Sequence, residues 1–136
     1  MNRSIFISLP VTDLKASIAF YEAIGFENNT RFADVIAACL VWSDTISFML
    51  LTHEKWRSFT CRPIPPVTSS EVMLSLSCDS REAVDALCDA ATAHGGTVDI
   101  NPMADHGFMY TRDLTDPDGH ALGAMWIDMA AMADQG

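Results

Sequence analysis

Positive charge is scarce in this chain: eight Lys plus Arg stand against eighteen Asp plus Glu, a formal balance of −10. Nucleic acid would repel such a surface, and no basic stripe offsets it. An anionic membrane is disfavoured on the same ground. Long apolar runs are also missing. Residues 35–42 (VIAACLVW) are too short to span a bilayer, so no membrane partner is expected. The opening MNRSIFISLP lacks the apolar core and small-residue cleavage site of a secretory signal, and a cytoplasmic location is expected. None of the four cysteines, Cys39, Cys61, Cys78 and Cys88, forms a CxxC pair or shows zinc-finger spacing. Buried, reduced thiols are the expectation. There is no glycine-rich phosphate loop and no HExxH. Ser8, Ser75 and Ser77 have no visible base partner, so a serine nucleophile is unsupported.

What is present suits a compact α+β protein. Apolar residues make up 49% of 136, enough for a real core. Residues 4–11 alternate as a strand, with Ile5, Ile7, Leu9 and Val11 on one face and Phe6 and Ser8 on the other. Thr12 or Asp13 can cap a helix to about Ala23, which Gly25 stops. Strands follow at about 26–32, 35–43 and 45–52. The proline-rich stretch 54–69 reads as a loop. The order then repeats. A strand at 71–79 precedes a helix capped by Ser80, with Val84, Leu87, Cys88 and Ala91 as its apolar stripe. Strands at about 97–101, 106–114 and 120–127 complete the second half, the last two joined by the turn DPDG. Setting Asp13 against Asp79 puts the halves some 66 residues apart.

Two stretches carry a family resemblance. VTDLKASIAFYEAIGF (11–26) and DPDGH (116–120) resemble the hallmarks of vicinal-oxygen-chelate proteins, which include glyoxalase I, bleomycin-resistance proteins and extradiol dioxygenases. The nearest subgroup resembles small bacterial glyoxalase-like proteins labelled lactoylglutathione lyases. The resemblance covers about 4–128 and implies two βαβββ modules forming a cup-shaped mixed sheet with helices outside. On that reading 1–128 is a single domain of two modules, about 1–53 and 70–128, joined by loop 54–69 and followed by a tail at 129–136. It also implies a small-molecule ligand in the cup and a homodimer.

The family's chemistry uses a divalent metal held by His, Glu or Gln side chains on the strands. Carried over position by position, the first-strand histidine falls on Phe6, the second-module histidine near Met73, and the last-strand glutamate on Gly123. A benzyl group and a hydrogen cannot ligate, and a thioether suits a hard ion poorly. No cofactor is therefore expected, unless a divalent metal sits in a rebuilt site drawn from Glu71, His106 and His120. For His120 the ordinary alternative is a turn residue beside Gly119.

Residues 106–112 offer another candidate. His106, Phe108, Tyr110 and Arg112 alternate along one predicted strand. Facing the cup, they would supply an acid–base imidazole and phenol and a guanidinium clamp. Facing outward, they would pair with acidic neighbours, and the residues leave both readings open. The resulting candidates are His106 and Tyr110 for catalysis, and Phe6, Ser8, Met73, Ser75, Phe108, Arg112, Gly123 and Met125 for ligand binding. The function expected is metal-free binding or sequestration of a small organic compound. The alternative is a glyoxalase-like lyase or isomerase using a rebuilt metal site or His106.

Overall fold

The computed structural model describes residues 3–32 and 34–131, and the chain divides into two compact units, Met1–Val67 and Thr68–Gly136. Each is an α+β module with one mixed sheet.

In the first unit, β1 (Ile5–Val11) leads into α1 (Leu14–Ala23), then β2 (Glu27–Asn28), β3 (Ala37–Ser43), β4 (Ile46–Thr52) and α2 (His53–Phe59). The sheet order is β1-β4-β3-β2, with β1 parallel to β4 and the other pairs antiparallel. Pro10 is tolerated because β1 is an edge strand, where a missing N–H breaks no second ladder. Asp13 caps α1 by accepting from the Ala16 N–H at 3.1 Å. The helix buries Ser17, Phe20 and Tyr21 completely. Tyr21 meets Phe48 and Phe26 edge-on, with ring centres 5.6 and 5.2 Å away, a favoured aromatic geometry. Gly25 ends the turn at φ 118°, and a Cβ there would lie 3.2 Å from the Trp42 ring, so glycine is needed for both backbone and space.

In the second unit, β5 (Leu74–Ser77) precedes α3 (Arg81–Ala93), then β6 (Thr97–Val98), β7 (Ala104–Asp105), β8 (Met109–Thr115) and β9 (Ala121–Ile127). The order is β5-β9-β8-β6, with β7 also paired to β8. Again the first and last strands are parallel. Ser80 caps α3 by accepting from the Ala83 N–H at 3.0 Å. Val84, Leu87, Cys88 and Ala91 are its buried face, the stripe anticipated from spacing.

Several expectations need correction. The stretch 53–59 is helix rather than loop. Thr52 caps it by accepting from the Lys55 N–H, Glu54 stands in its first turn, and the prolines begin only at Pro63. Residues 26–32 form only the short β2, then a 3-10 turn at Thr30–Phe32. The predicted strand 106–114 begins only at Met109, as β8, because His106–Phe108 turn the chain at Gly107 (φ 81°) and separate it from the short β7. The two helix caps, Asp13 and Ser80, stand 67 positions apart rather than 66. That single residue matters, since a shift of one exchanges the faces of a strand. At 67, Leu9 matches Leu76, both buried, and Phe6 matches Met73. Of the tail at 129–136, residues 132–136 lie outside the described residues.

Removing either cap, by Asp13→Ala or Ser80→Ala, should cost about 1 kcal/mol. Tyr21→Ala should cost about 3–5 kcal/mol, the range for large buried aromatics. Urea unfolding midpoints measure all three.

Candidate ligand-binding site

In each unit one face of the sheet lies under a helix, and strand parity fixes what points the other way. Phe48 touches Tyr21, so Phe48 and its register partners Ile7 and Leu40 face α1. Phe6, Ser8, Met49 and Cys39 then project from the opposite face. Ser8 pairs with Met49, and Met49 with Cys39. Here an apolar cleft of about 280 Å³ is lined by Phe6, Phe32, Cys39 and Met49. Phe6 is 64% exposed and Phe32 61%, high values for aromatic rings. Phe6 was anticipated on this face. Phe32 was not, because its position depends on the 3-10 turn that replaces a predicted strand. Cys39 was read as a buried thiol, which it is, but parity across from Met49 also brings it to the cleft. Trp42 packs on Phe26 at 5.0 Å, within the aromatic cluster of the α1 side.

In the second unit, Leu76, Leu114, Leu122 and Ala124 are buried in the layer that faces α3. Ser75, Gly123 and Asp113 form one cross-strand row on the opposite face. Met125 lies one step along the same face, paired with Ser77 and Thr111. Met73 and Glu71 precede β5 and are exposed, Met73 to 51%.

Tyr110 and Arg112 point the other way, toward α3. The Tyr110 hydroxyl donates to Asp85 Oδ1 at 2.7 Å, and Arg112 Nη1 donates to the same oxygen at 3.1 Å. Arg112 also grips Asp99 with two bonds, at 3.1 and 2.8 Å. The Asp85 bond pushes the Tyr110 phenol above its usual 10.0, which makes it a poorer proton donor. Asp99 in turn holds Arg112 more firmly protonated, and Arg112 holds Asp99 below the usual carboxylate range. Arg81 is the hub of this side. It forms a bidentate pair with Asp105 at 2.6 and 2.8 Å, donates to the Gly107 carbonyl, and lies 5.3 and 5.1 Å from the Tyr110 and Trp126 ring centres. These contacts tie the β7–β8 hairpin to α3. The expected row of His106, Phe108, Tyr110 and Arg112 is therefore not one strand face, and its two strand members are structural partners of α3.

His106 and Phe108 belong to the turn at Gly107. His106 is exposed, with its ring 6.4 Å from that of the half-buried Phe108. His120 is half-buried beside the DPDG turn, where its N–H donates to Asp116 Oδ1 at 2.9 Å. Among the described residues no three His, Cys, Asp or Glu side chains form a group able to hold a metal ion, so Glu71, His106 and His120 are not brought together. The positions that the resemblance assigns to metal ligands, Phe6, Met73 and Gly123, would offer one thioether and no hard side-chain donor of their own, a set that suits a divalent ion poorly.

A model of the Glyoxalase/Bleomycin resistance protein/Dioxygenase superfamily matches residues 4–123. Among solved structures, the chain is similar to hypothetical protein SA1046 from S. aureus, at 25% identity and TM-score 0.77, covering 93% of this chain and 95% of that one. It is similar to a glyoxalase/bleomycin resistance protein/dioxygenase family enzyme from Burkholderia phytofirmans PsJN, at 21% identity and TM-score 0.73, covering 90% and 96%. A third is TnmS3, an antibiotic binding protein from Streptomyces sp. CB03234, at 22% identity and TM-score 0.63, covering 93% and 97%. No curated protein matches the chain.

The ion pair at the hairpin leaves a pH signature. Hydrogen bonding from Arg81, helped by the Gly107 N–H, lowers the Asp105 carboxyl from 3.8 to about 2. A depressed folded value means the pair contributes fully above the unfolded value near 3.8 and is lost as pH falls through about 2. Stability should thus fall between about pH 4 and pH 2, and Asp105→Asn should flatten part of that slope. Urea midpoints across this range test it.

Proposed function

The chain belongs to the glyoxalase/bleomycin resistance protein/dioxygenase superfamily, and on that premise we propose that it binds or sequesters a small, largely apolar organic molecule without metal chemistry at the family's usual position. The observation that carries this reading is Phe6. Where relatives are expected to place a metal ligand, this chain places an exposed ring on the wall of an apolar cleft. The cleft, about 280 Å³, lies just below the range for ligand pockets, roughly 300–1,000 Å³. Such a volume suits an aromatic group. Two rings supply flat contact surface, while the Met49 thioether adapts to irregular shapes. The similarity to an antibiotic binding protein supports binding as a function this fold performs. A homodimer and a small-molecule ligand are parts of the same proposal, supported by the family resemblance, and a cytoplasmic setting is proposed with them.

Catalysis through His106 and Tyr110 gains no support from their geometry. Tyr110 is committed to Asp85, and His106 is exposed on a separate turn. Stoichiometric metal in protein purified without an affinity tag, or turnover of the methylglyoxal–glutathione adduct, would overturn the binding reading.

The direct test uses the fluorescent apolar amine 1-aminoanthracene as probe. Phe6→Ala should weaken its binding roughly tenfold, through loss of one ring's apolar contact. The same substitution should leave the unfolding midpoint nearly unchanged, because an exposed ring contributes little to the core. Equal affinity in wild type and variant would sink the assignment.

A further inference from the structure

The second unit has a polar notch that the apolar cleft does not account for. Ser75, Gly123 and Asp113 are register partners on three adjacent strands, β5, β9 and β8. The middle position has no side chain, so the outer two lean over bare backbone. A Cβ built on Gly123 would lie 2.9 Å from Ser75 Oγ and 3.2 Å from Asp113 Oδ1, so both oxygens border the bare backbone of Gly123 from either side. The carboxylate is already oriented. Asn101 Nδ2 donates to its other oxygen, Oδ2, at 3.0 Å, which leaves Oδ1 turned toward the glycine.

Charge makes the notch selective. Asp113 is half-buried, and among the described residues it forms no ion pair with Lys or Arg. The neighbouring Arg112 points to the opposite face, where Asp85 and Asp99 occupy it. A carboxylate without a cation favours an external one, and an adjacent hydroxyl can accept a second hydrogen bond. A bound carboxylate or phosphate would meet repulsion here.

We propose that the Ser75–Gly123–Asp113 row is a binding subsite for the protonated amine of a small organic molecule. The ammonium donates to Asp113 Oδ1 and Ser75 Oγ, and the absence of a side chain at Gly123 gives it room. This inference rests on the second unit alone and holds whether or not the cleft of the first sheet takes an apolar ligand.

Titration of the ¹⁵N-labelled full chain with benzylammonium, benzyl alcohol and benzoate tests it. Benzylammonium should shift the amide signals of Ser75, Asp113 and Gly123, while benzoate should leave them in place. Asp113→Asn keeps the shape and removes the charge. It should weaken benzylammonium roughly tenfold or more, as expected for a hydrogen bond to a charged group. Gly123→Ala should weaken it similarly by filling the notch. A thermal melt checks that each variant folds, and Ser75→Ala, at an exposed position, replaces any that does not. Three results overturn the proposal: no shift at these residues, equal affinity for benzyl alcohol and benzylammonium, or undiminished benzylammonium binding in the folded variants.

Discussion

The structure depends on one constraint: in each unit, a helix covers one face of a strand-parity sheet. In the first unit, Phe20 and Tyr21 of α1 are fully buried, and Tyr21 stacks edge-on against Phe48. In the second, Val84, Leu87, Cys88 and Ala91 of α3 do the same over Leu114, Leu122 and Ala124. Burying these side chains supplies the main driving force for each module. Because successive side chains alternate, committing one set to the helix commits the other set to the opposite face. Phe6, Ser8 and Met49 are displayed for that reason, as are Ser75, Asp113 and Gly123.

The two displayed faces differ in chemistry although they arise from the same architecture. Phe6 of the first unit corresponds to Met73 of the second when the helix caps are aligned. The first face gathers rings and sulfur around a cleft. The second gathers a hydroxyl and a carboxylate around a glycine. Both are suited to recognising organic groups, one by apolar contact and the other by charge and hydrogen bonding.

Polar side chains on the α3 side have a different task. Arg81 and Arg112 each hold a carboxylate in two-point contact, and Asp85 collects bonds from both Tyr110 and Arg112. Planar guanidinium groups are suited to such forks. Arg112 is largely covered, so pairing also satisfies charges that water reaches poorly. In an acidic chain with only eight basic residues, the commitment of these two to structure leaves the notch at Asp113 without a cation from its own unit.

Local sequence determined α1 and α3, their caps and the repeated order of the longer strands. Asp13, Ser80, Gly25 and the apolar stripe of α3 announce themselves because capping, left-handed φ and helical periodicity act within a few residues. The same was true of the parity of Phe6 and Ser8, opposite Ile7 and Leu9, which follows from alternation along a single strand. Tertiary structure decided what lies between and across strands. The alternation of His106, Phe108, Tyr110 and Arg112 looks like one strand, but Gly107 breaks it and Asp85, 25 residues before Tyr110, claims the phenol. Phe32 joins Cys39 and Met49 only through a 3-10 turn and an antiparallel register, and Asp113 meets Gly123 and Ser75 only by pairing across three strands. Periodicity reports which way a side chain points relative to its own strand. Which partner arrives opposite it is set by long-range pairing, whose register depends on the packing of the whole module.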